Sequence, residues 1–272
     1  MGANSKVKAP FFSVIMPIHR WHELLPLAIQ SILKQTDSDF EFLIAANGPA
    51  SLELEEQLTP FVKNDARVRI VSTPMPGLVF ALNLLIQQAR GAYLVRMDGD
   101  DLSEPNRLET MRHFLLQYPE TDVLGSNYLM IDSHGDIIKI SSLPEFNSTI
   151  RRLLPFNCVL AHPTVAMRTS LVLSLQGYMY GHASEDYDLW LRMLRRRPKV
   201  VFHNLREAVF RYRVHAGQST GADRIGLFVA HDIGLRLREF LLTANPMFIV
   251  GIFRSLVQLV VRKVQAWTGK RA

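Results

Sequence analysis

Short apolar runs alternate with amphipathic segments through the first hundred residues of the chain. The apolar runs have the length and continuity of strands buried on both faces of a sheet, and they cover residues 11–16, 40–46, 68–71 and 92–97. Between them, apolar residues recur every three or four positions, which predicts helices at residues 24–33, 52–62 and 78–89. This alternation predicts an α/β fold with a Rossmann-type, mostly parallel sheet flanked by helices.

The pattern is less regular in the second half of the chain. It predicts further strands at residues 123–131, 137–141, 164–168, 200–203 and 208–214. It predicts further helices at residues 105–117, 148–154, 185–195, 223–242 and 247–267. No linker or repeat interrupts the chain, so we expect one domain over residues 1–222 and a C-terminal helical appendage over 223–272.

Composition and charge exclude several classes of protein. The chain has 272 residues, enough for a sizeable core, and its one cysteine excludes a disulfide framework and a cysteine-based zinc or iron–sulfur site. Five basic residues and no acidic residue follow Pro246, so the rest of the chain carries only +1 of the net charge of +6. Because the body has no basic face with interleaved aromatic residues, we expect no nucleic-acid partner.

Three carboxylates follow the fourth predicted strand, at a position where parallel sheets bind ligands. Asp98, Asp100 and Asp101 lie within four positions, and like charges this close repel one another. A divalent cation such as Mg²⁺ or Mn²⁺ would relieve the repulsion and commonly bridges substrate phosphates. The alternative is that Asp100 or Asp101 caps the helix that begins near Pro105, in competition with Ser103.

A second candidate carboxylate begins the predicted helix at residues 185–195. Asp186 precedes Leu189 and Trp190 by three and four positions, so it shares their apolar, inward face. Asp188 is predicted to lie on the solvent side of the same helix. Asp186 is therefore either a general base in a cleft or a carboxylate that stabilises the helix N-terminus.

Several segments match the motifs of one enzyme family in the same order along residues 12–220. They are Ser13-Val14-Ile15-Met16-Pro17, Arg96-Met97-Asp98-Gly99-Asp100-Asp101, His162-Pro163-Thr164, Glu185-Asp186-Tyr187-Asp188-Leu189-Trp190 and Tyr212-Arg213-Val214-His215. Together they resemble the inverting family 2 glycosyltransferases, which have the GT-A fold. The resemblance implies a metal-dependent enzyme that transfers a sugar from a nucleotide-sugar donor to a glycan or lipid-linked acceptor, in the synthesis of bacterial surface polysaccharide.

The resemblance also implies roles for individual residues. Asp186 corresponds to the general base. The implied ligands of Mg²⁺ or Mn²⁺ are Asp98, Asp100, Asp101 and His215. The implied donor-binding residues are Pro17, Ile18, His19, Asn47, Asn83, Arg96, Asp98, Gly99 and Asp100. The implied acceptor-side residues are His162, Glu185 and Trp190. Residues 11–110 then form a nucleotide-sugar half and residues 111–222 an acceptor half.

Two departures from the family pattern lie where the donor base and ribose are expected. Ala46-Asn47 replaces an acidic pair after the second strand, and Pro17-Ile18-His19-Arg20 replaces Pro-Thr-Tyr-Asn. We therefore expect weak or unusual selection for the donor nucleotide.

Two other functions remain as alternatives. A sugar nucleotidyltransferase needs a glycine-rich phosphate loop after its first strand, and residues 17–21 contain no glycine. A non-catalytic sugar-nucleotide-binding module at a membrane surface is favoured by Ala46 and Asn47, whereas the presence of both Asp100 and Asp186 argues against it.

The last predicted helix is apolar around most of its circumference. Arg254, Gln258, Arg262 and Gln265 form one narrow polar stripe on it, and the two arginines make a transmembrane position costly. The helix either lies in a membrane interface or packs on the enzyme body or on a second subunit of a homodimer. Since residues 1–10 lack an apolar signal region, we expect a cytoplasmic protein, with the inner face of the cell membrane as the site of peripheral contact.

Overall fold

The computed structural model describes residues 9–179, 183–196, 198–215 and 225–267. The strands are β1 (Phe12–Ile18), β2 (Phe40–Asn47), β3 (Val68–Thr73), β4 (Tyr93–Arg96), β5 (Leu102–Ser103), β6 (Val123–Ile131), β7 (Ile137–Ile140), β8 (Ala166–Arg168) and β9 (Phe202–Arg213). The helices are α1 (Leu25–Leu33), α2 (Ser51–Val62), α3 (Leu78–Gln88), α4 (Arg107–Gln117), α5 (Asn147–Leu153), α6 (Thr169–Ser174), α7 (Glu185–Arg195), α8 (Ile225–Thr243) and α9 (Met247–Trp267).

The strands form a mixed sheet in the order β3-β2-β1-β4-β8-β6-β9-β5, with β7 paired to β6. The neighbours from β3 to β4 are parallel, as the strand–helix alternation predicts. The short strand β8 then joins β4 to β6 with antiparallel pairing on both sides. The α/β fold class is confirmed, and β8 makes the second half of the sheet mixed.

Helices cover both faces of this sheet and create two apolar cores. On one face, α1, α2 and α4 pack apolar residues such as Ile29, Leu58 and Met111 against the strands. On the other face, α3 and α7 contribute Leu82 and Trp190, among others. Because β1 and β2 are buried along nearly their whole length, their side chains alternate between the two cores.

The second half of the chain differs in detail from the predicted elements. The strands predicted at 200–203 and 208–214 are parts of one long strand, β9, whose register against β6 shifts near Ser126 and Asn127. The exposed residues Arg206 and Glu207 lie near this irregularity and interrupt the apolar pattern. The short elements β5 and α6 were not predicted, since two and six residues give too little periodicity.

The helices α8 and α9 pack on the body rather than standing apart from it. Arg236 of α8 donates to the backbone oxygens of Pro155 and Phe156 at 3.0 and 2.9 Å. Phe248 of α9 is 2% exposed, and a side chain in place of Gly251 would meet the Pro155 oxygen. None of the helices in the described ranges combines the length and hydropathy that a membrane span requires.

Candidate active site

The turn after β4 presents two carboxylates to solvent. The side chains of Asp98 and Asp100 are 34% and 25% exposed. Asp98 Oδ1 accepts a hydrogen bond from Nη2 of the buried Arg96 at 2.6 Å. Asp100 Oδ2 lies 3.0 Å from Nε2 of His215, a residue 115 positions further along the chain. The structure therefore brings Asp100 and His215 into contact, with Asp98 in the same turn.

Asp101, the fourth expected ligand, has a different environment. It is 1% exposed, and its Oδ1 accepts a hydrogen bond from the backbone nitrogen of Arg213 at 2.8 Å. Burial, and then the charges of Asp98 and Asp100, raise its pKa well above the usual range. Because this carboxyl is buried and bonds the turn to the end of β9, Asp101 is not part of the candidate metal site.

The chemistry of the remaining donor set suits a divalent cation. Two partly exposed carboxylates and an imidazole can occupy some positions around Mg²⁺ or Mn²⁺ and leave others for phosphate oxygens. Within the described ranges, however, no three such side chains form a group placed to hold an ion. The arrangement of Asp98, Asp100 and His215 therefore fits the chemistry of a metal site without being a complete one.

His22 lies beside the same turn, although no motif in the sequence points to it. A Cβ at position 99 would come within 2.7 Å of Leu25 Cδ2 and 3.4 Å of His22 Nε2, so Leu25 and His22 approach the turn closely. The pKa of His22 is lowered, mainly by burial, while the charge of Asp100 acts to raise it and that of His215 to lower it. Only the fold reveals this neighbour of Asp100.

Arg96 and Arg107 support the turn from within the protein. Arg107 is fully buried and donates to the backbone oxygens of Arg96 and Pro163, both at 3.0 Å. Burial lowers its pKa to about 9, and its guanidinium lies 4.7 Å from the centre of the Phe210 ring. Arg96, an expected donor-binding residue, is 1% exposed and holds Asp98 in place.

The expected base-recognition residues line the ends of β1 and β2. Pro17 and Ile18 lie opposite Ala45 and Ala46 in the sheet. Asn47 is 3% exposed. Its side-chain nitrogen donates to Ile18 O at 2.8 Å, and its side-chain oxygen accepts from Gly77 N at 3.1 Å. Asn47 thus joins two neighbouring segments through backbone groups.

His19 follows directly after β1 and is exposed. Its ring is accessible to solvent, whereas the neighbouring expected donor-binding residues Ile18 and Asn47 are buried.

Three other expected site residues have supporting contacts. The amide of Asn83 exchanges two hydrogen bonds of 2.9 Å with the backbone of Tyr178, in the segment before α7. His162 Nε2 lies 2.7 Å from the Tyr178 hydroxyl, and burial followed by the charge of Arg96 lowers the pKa of His162 well below its usual value. Trp190 is 0% exposed. His162 and Trp190 are therefore both buried and expose little surface.

Asp186 is a carboxylate with a raised pKa at the start of α7. It lies in the first turn of α7, where Oδ1 accepts from the Tyr187 nitrogen at 2.7 Å and Oδ2 accepts from Cys158 Sγ at 3.7 Å. Burial, and next the charge of Glu185, raises the pKa of Asp186 to about 7. A carboxylate with a pKa near neutral pH combines a useful ionised fraction with enough basicity to take a proton.

Glu185 connects Asp186 to the turn after β4. Burial raises its pKa, the Arg96 charge lowers it and the Asp98 charge raises it. Glu185 thus links Asp186 electrostatically to Arg96 and Asp98 at the turn after β4.

The prediction that Asp188 faces solvent is wrong. Asp188 is 0% exposed and pairs with Arg192 at 2.7 Å and with Arg238 of α8 at 2.5 Å. The helical spacing predicted a polar face, but α8 covers that face and supplies the cation. Asp188 therefore anchors α8 to α7.

The chain matches the family model described as "Glycosyl transferase family 2" over residues 13–173. It is 38% identical over 229 residues to the O-antigen biosynthesis glycosyltransferase WbnJ of Escherichia coli, covering 84% of this chain and 88% of the relative. It is 30% identical over 191 residues to an Escherichia coli UDP-Gal:alpha-D-GlcNAc-diphosphoundecaprenol beta-1,3-galactosyltransferase, covering 68% of each.

Two solved structures share the fold. Residues 1–349 of S. aureus TarS in complex with UDP-GlcNAc superpose with a TM-score of 0.63 at 19% identity, covering 85% of this chain and 66% of the TarS chain. The mannosyltransferase PcManGT of Pyrobaculum calidifontis, in complex with GDP-Man and Mn²⁺, has a TM-score of 0.57 at 14% identity, covering 94% of this chain and 76% of the other. This chain thus spans slightly less than two thirds of the TarS fragment.

Proposed function

The chain belongs to glycosyl transferase family 2, and from that membership we propose that it is a metal-dependent, inverting glycosyltransferase acting on a lipid-linked glycan. That it is a glycosyltransferase follows from the family match and the relatives. One observation supports the proposed metal-dependent, inverting mechanism. Asp186, with a pKa of about 7, occurs together with two partly exposed carboxylates after β4.

The donor half of the proposed reaction takes place at the turn after β4. Asp98, Asp100 and His215 would hold Mg²⁺ or Mn²⁺, and such an ion neutralises charge on the departing diphosphate. Arg96 orients Asp98 through their hydrogen bond, and His22 adds a ring beside Asp100. The Mn²⁺ in the PcManGT complex is consistent with this assignment.

The acceptor half of the proposed reaction takes place at the start of α7. Asp186 takes the proton of an acceptor hydroxyl, whose oxygen attacks the anomeric carbon of the donor from the face opposite the diphosphate. The acceptor oxygen forms a bond to the anomeric carbon while the bond from that carbon to the diphosphate oxygen breaks. The configuration at the anomeric carbon is therefore inverted. Burial, and next the charge of Glu185, raises the pKa of Asp186 and so its basicity.

Donor selection depends on the ends of β1 and β2. The Asn47 amide is engaged with Ile18 O and Gly77 N, so it has little capacity left for a nucleobase. We propose that base recognition is weak, with His19 as the most exposed contact in this region. The relatives differ in the nucleotide they are named or crystallised with, UDP in TarS and GDP in PcManGT.

We further propose that α9 holds the enzyme at the inner face of the cell membrane. One side of the helix packs on the body through Phe248, Gly251 and Ser255. The other side exposes a continuous apolar stripe, Val250, Phe253, Val257, Val260, Val261 and Val264, each 47–64% exposed. Such a face suits the acyl boundary of a bilayer that presents a lipid-linked acceptor. The side chains of Arg262 and Gln265 lie outside the described part of the chain.

Nucleotide release measured with a panel of UDP- and GDP-sugars tests the proposal. The acceptor is a short-chain diphospholipid carrying one sugar, with Mn²⁺ present. Asp186→Asn keeps the shape of the side chain, so donor binding should persist while transfer falls by about 10²–10⁴-fold, the usual range for loss of a general base. Full transfer by this variant, or by the wild type in EDTA, contradicts the proposed base or metal respectively.

A further inference from the structure

A cavity opens between the body and the two C-terminal helices. Its volume is about 250 Å³, just below the range of ~300–1,000 Å³ common for pockets that hold drug-sized ligands. Residues 156–158 form one wall, α8 contributes Val229 and Asp232, and α9 contributes Gln258 among others. The family match ends at residue 173, so both helices lie outside the part of the chain that it covers.

The cavity adjoins the proposed base. Cys158 lines it, and its Sγ donates to Asp186 Oδ2 at 3.7 Å. Asp232, on the opposite wall, accepts a hydrogen bond of 2.7 Å from the hydroxyl of Ser184, two residues before Asp186. The charge of Asp232 also contributes to raising the pKa of Asp186. A molecule in the cavity would therefore contact Cys158, whose thiol contacts the Asp186 carboxylate.

The lining suits a neutral polyhydroxylated ligand. The side-chain amides of Asn157 and Gln258 make no hydrogen bond to any residue that the structure describes, so both can donate and accept toward a ligand. Phe156 adds an aromatic surface. Arg236, the cation of the lining, is already bonded to Pro155 O, Phe156 O and Ser255 and lies 3.6 Å from Asp232. Because its charge is engaged, the cavity favours hydroxyl groups over phosphate.

We infer that this cavity binds the terminal sugar of the acceptor, and that α8 and α9 therefore determine acceptor specificity. Asn157 and Gln258 recognise hydroxyl groups, and the sugar lies against Cys158, one side chain away from Asp186. The inference rests on the proposed function, since it names the substrate subsite of the same reaction. It assigns the C-terminal helices a binding role in addition to their packing.

Alkylation of Cys158 gives a direct measure of occupancy, because the chain has no other cysteine. The thiol is exposed, so N-ethylmaleimide, applied to the full-length protein, can reach it. The probes are short-chain diphospholipids carrying GlcNAc, GalNAc, Gal or Glc, and the same lipid diphosphate without a sugar. We expect at least one sugar-bearing probe to slow alkylation several-fold, and the sugar-free lipid and the nucleotide-sugar donors to have no effect.

Substitutions in the lining give a second test that needs turnover. Asn157→Ala and Gln258→Ala should each raise the acceptor KM about 3–10-fold, the range expected for one lost hydrogen bond, with donor KM unchanged. Gln117→Ala, an exposed amide on α4, is the matched control. Val229→Phe should fill the cavity and abolish transfer while metal-dependent donor binding persists, whereas Leu227→Phe, at an exposed position of the same helix, should leave both unchanged.

The two assays separate the inference from the function on which it rests. If transfer occurs but no sugar-bearing probe protects Cys158 and the lining variants keep the acceptor KM, the cavity is not the acceptor subsite. Equal protection by the sugar-free lipid, or protection by the donor, also overturns the inference. If no combination of donor and acceptor releases nucleotide, the proposed function fails. Protection of Cys158 from alkylation by a sugar-bearing probe then still shows whether the cavity binds sugar.

Discussion

The pH dependence of transfer offers a sharp test of Asp186. Its pKa is about 7, compared with 3.8 for an ordinary aspartate, because the side chain is buried and Glu185 lies beside it. About half of the side chain is ionised at pH 7, about a tenth at pH 6 and about a hundredth at pH 5. Since only the ionised form accepts the proton, kcat/KM should rise about tenfold per unit up to pH 7 and then level off.

The assay is nucleotide release at low acceptor concentration between pH 5 and 8.5, with Mn²⁺ and donor saturating. Glu185→Gln removes the second largest cause of the raised pKa, so the acid limb should move to lower pH. Glu56→Gln, on the exposed side of α2, should leave the limb in place. A rate that is constant from pH 5 to 8 would refute the raised pKa, and a limb unaffected by Glu185→Gln would refute its electrostatic cause.

Three further outcomes are expected. Asp188→Asn removes the buried carboxylate charge that pairs with Arg192 and Arg238, and it should lower the free energy of unfolding by about 3–5 kcal/mol in denaturant titration, while a change below ~1 kcal/mol would contradict the anchoring role. Asp100→Ala should weaken Mn²⁺-dependent donor binding, measured by calorimetry, far more than binding without metal; equal losses would contradict a metal role. Val257→Asp with Phe253→Asp, both at exposed positions of α9, should release the enzyme from anionic liposomes without loss of donor hydrolysis, and loss of a dimer instead would identify the stripe as a subunit interface.

Local pattern was sufficient for most elements of the fold. The predicted helix at 185–195 and strand at 123–131 have the bounds of α7 and β6, because hydrophobic periodicity is a property of neighbouring residues. The family of enzymes and the carboxylates after β4 were also predicted from short segments whose order along the chain is informative.

The contacts between distant segments were decided only by the tertiary structure. His215 meets Asp100 across 115 positions, and His22 approaches through the packing of α1 on Gly99. Asp188 is buried because Arg238, fifty residues away, supplies a cation that no periodicity within α7 can reveal.

The same limit explains the C-terminal helix. Its residues alone predicted a narrow polar stripe, but not which side faces the body. Packing places the small residues Gly251 and Ser255 against the enzyme, since they allow close approach, and leaves the apolar side exposed. The sequence by itself determined the elements and the reactive groups, whereas burial, partners and the cavity beside Asp186 depend on which surfaces the folded chain brings together.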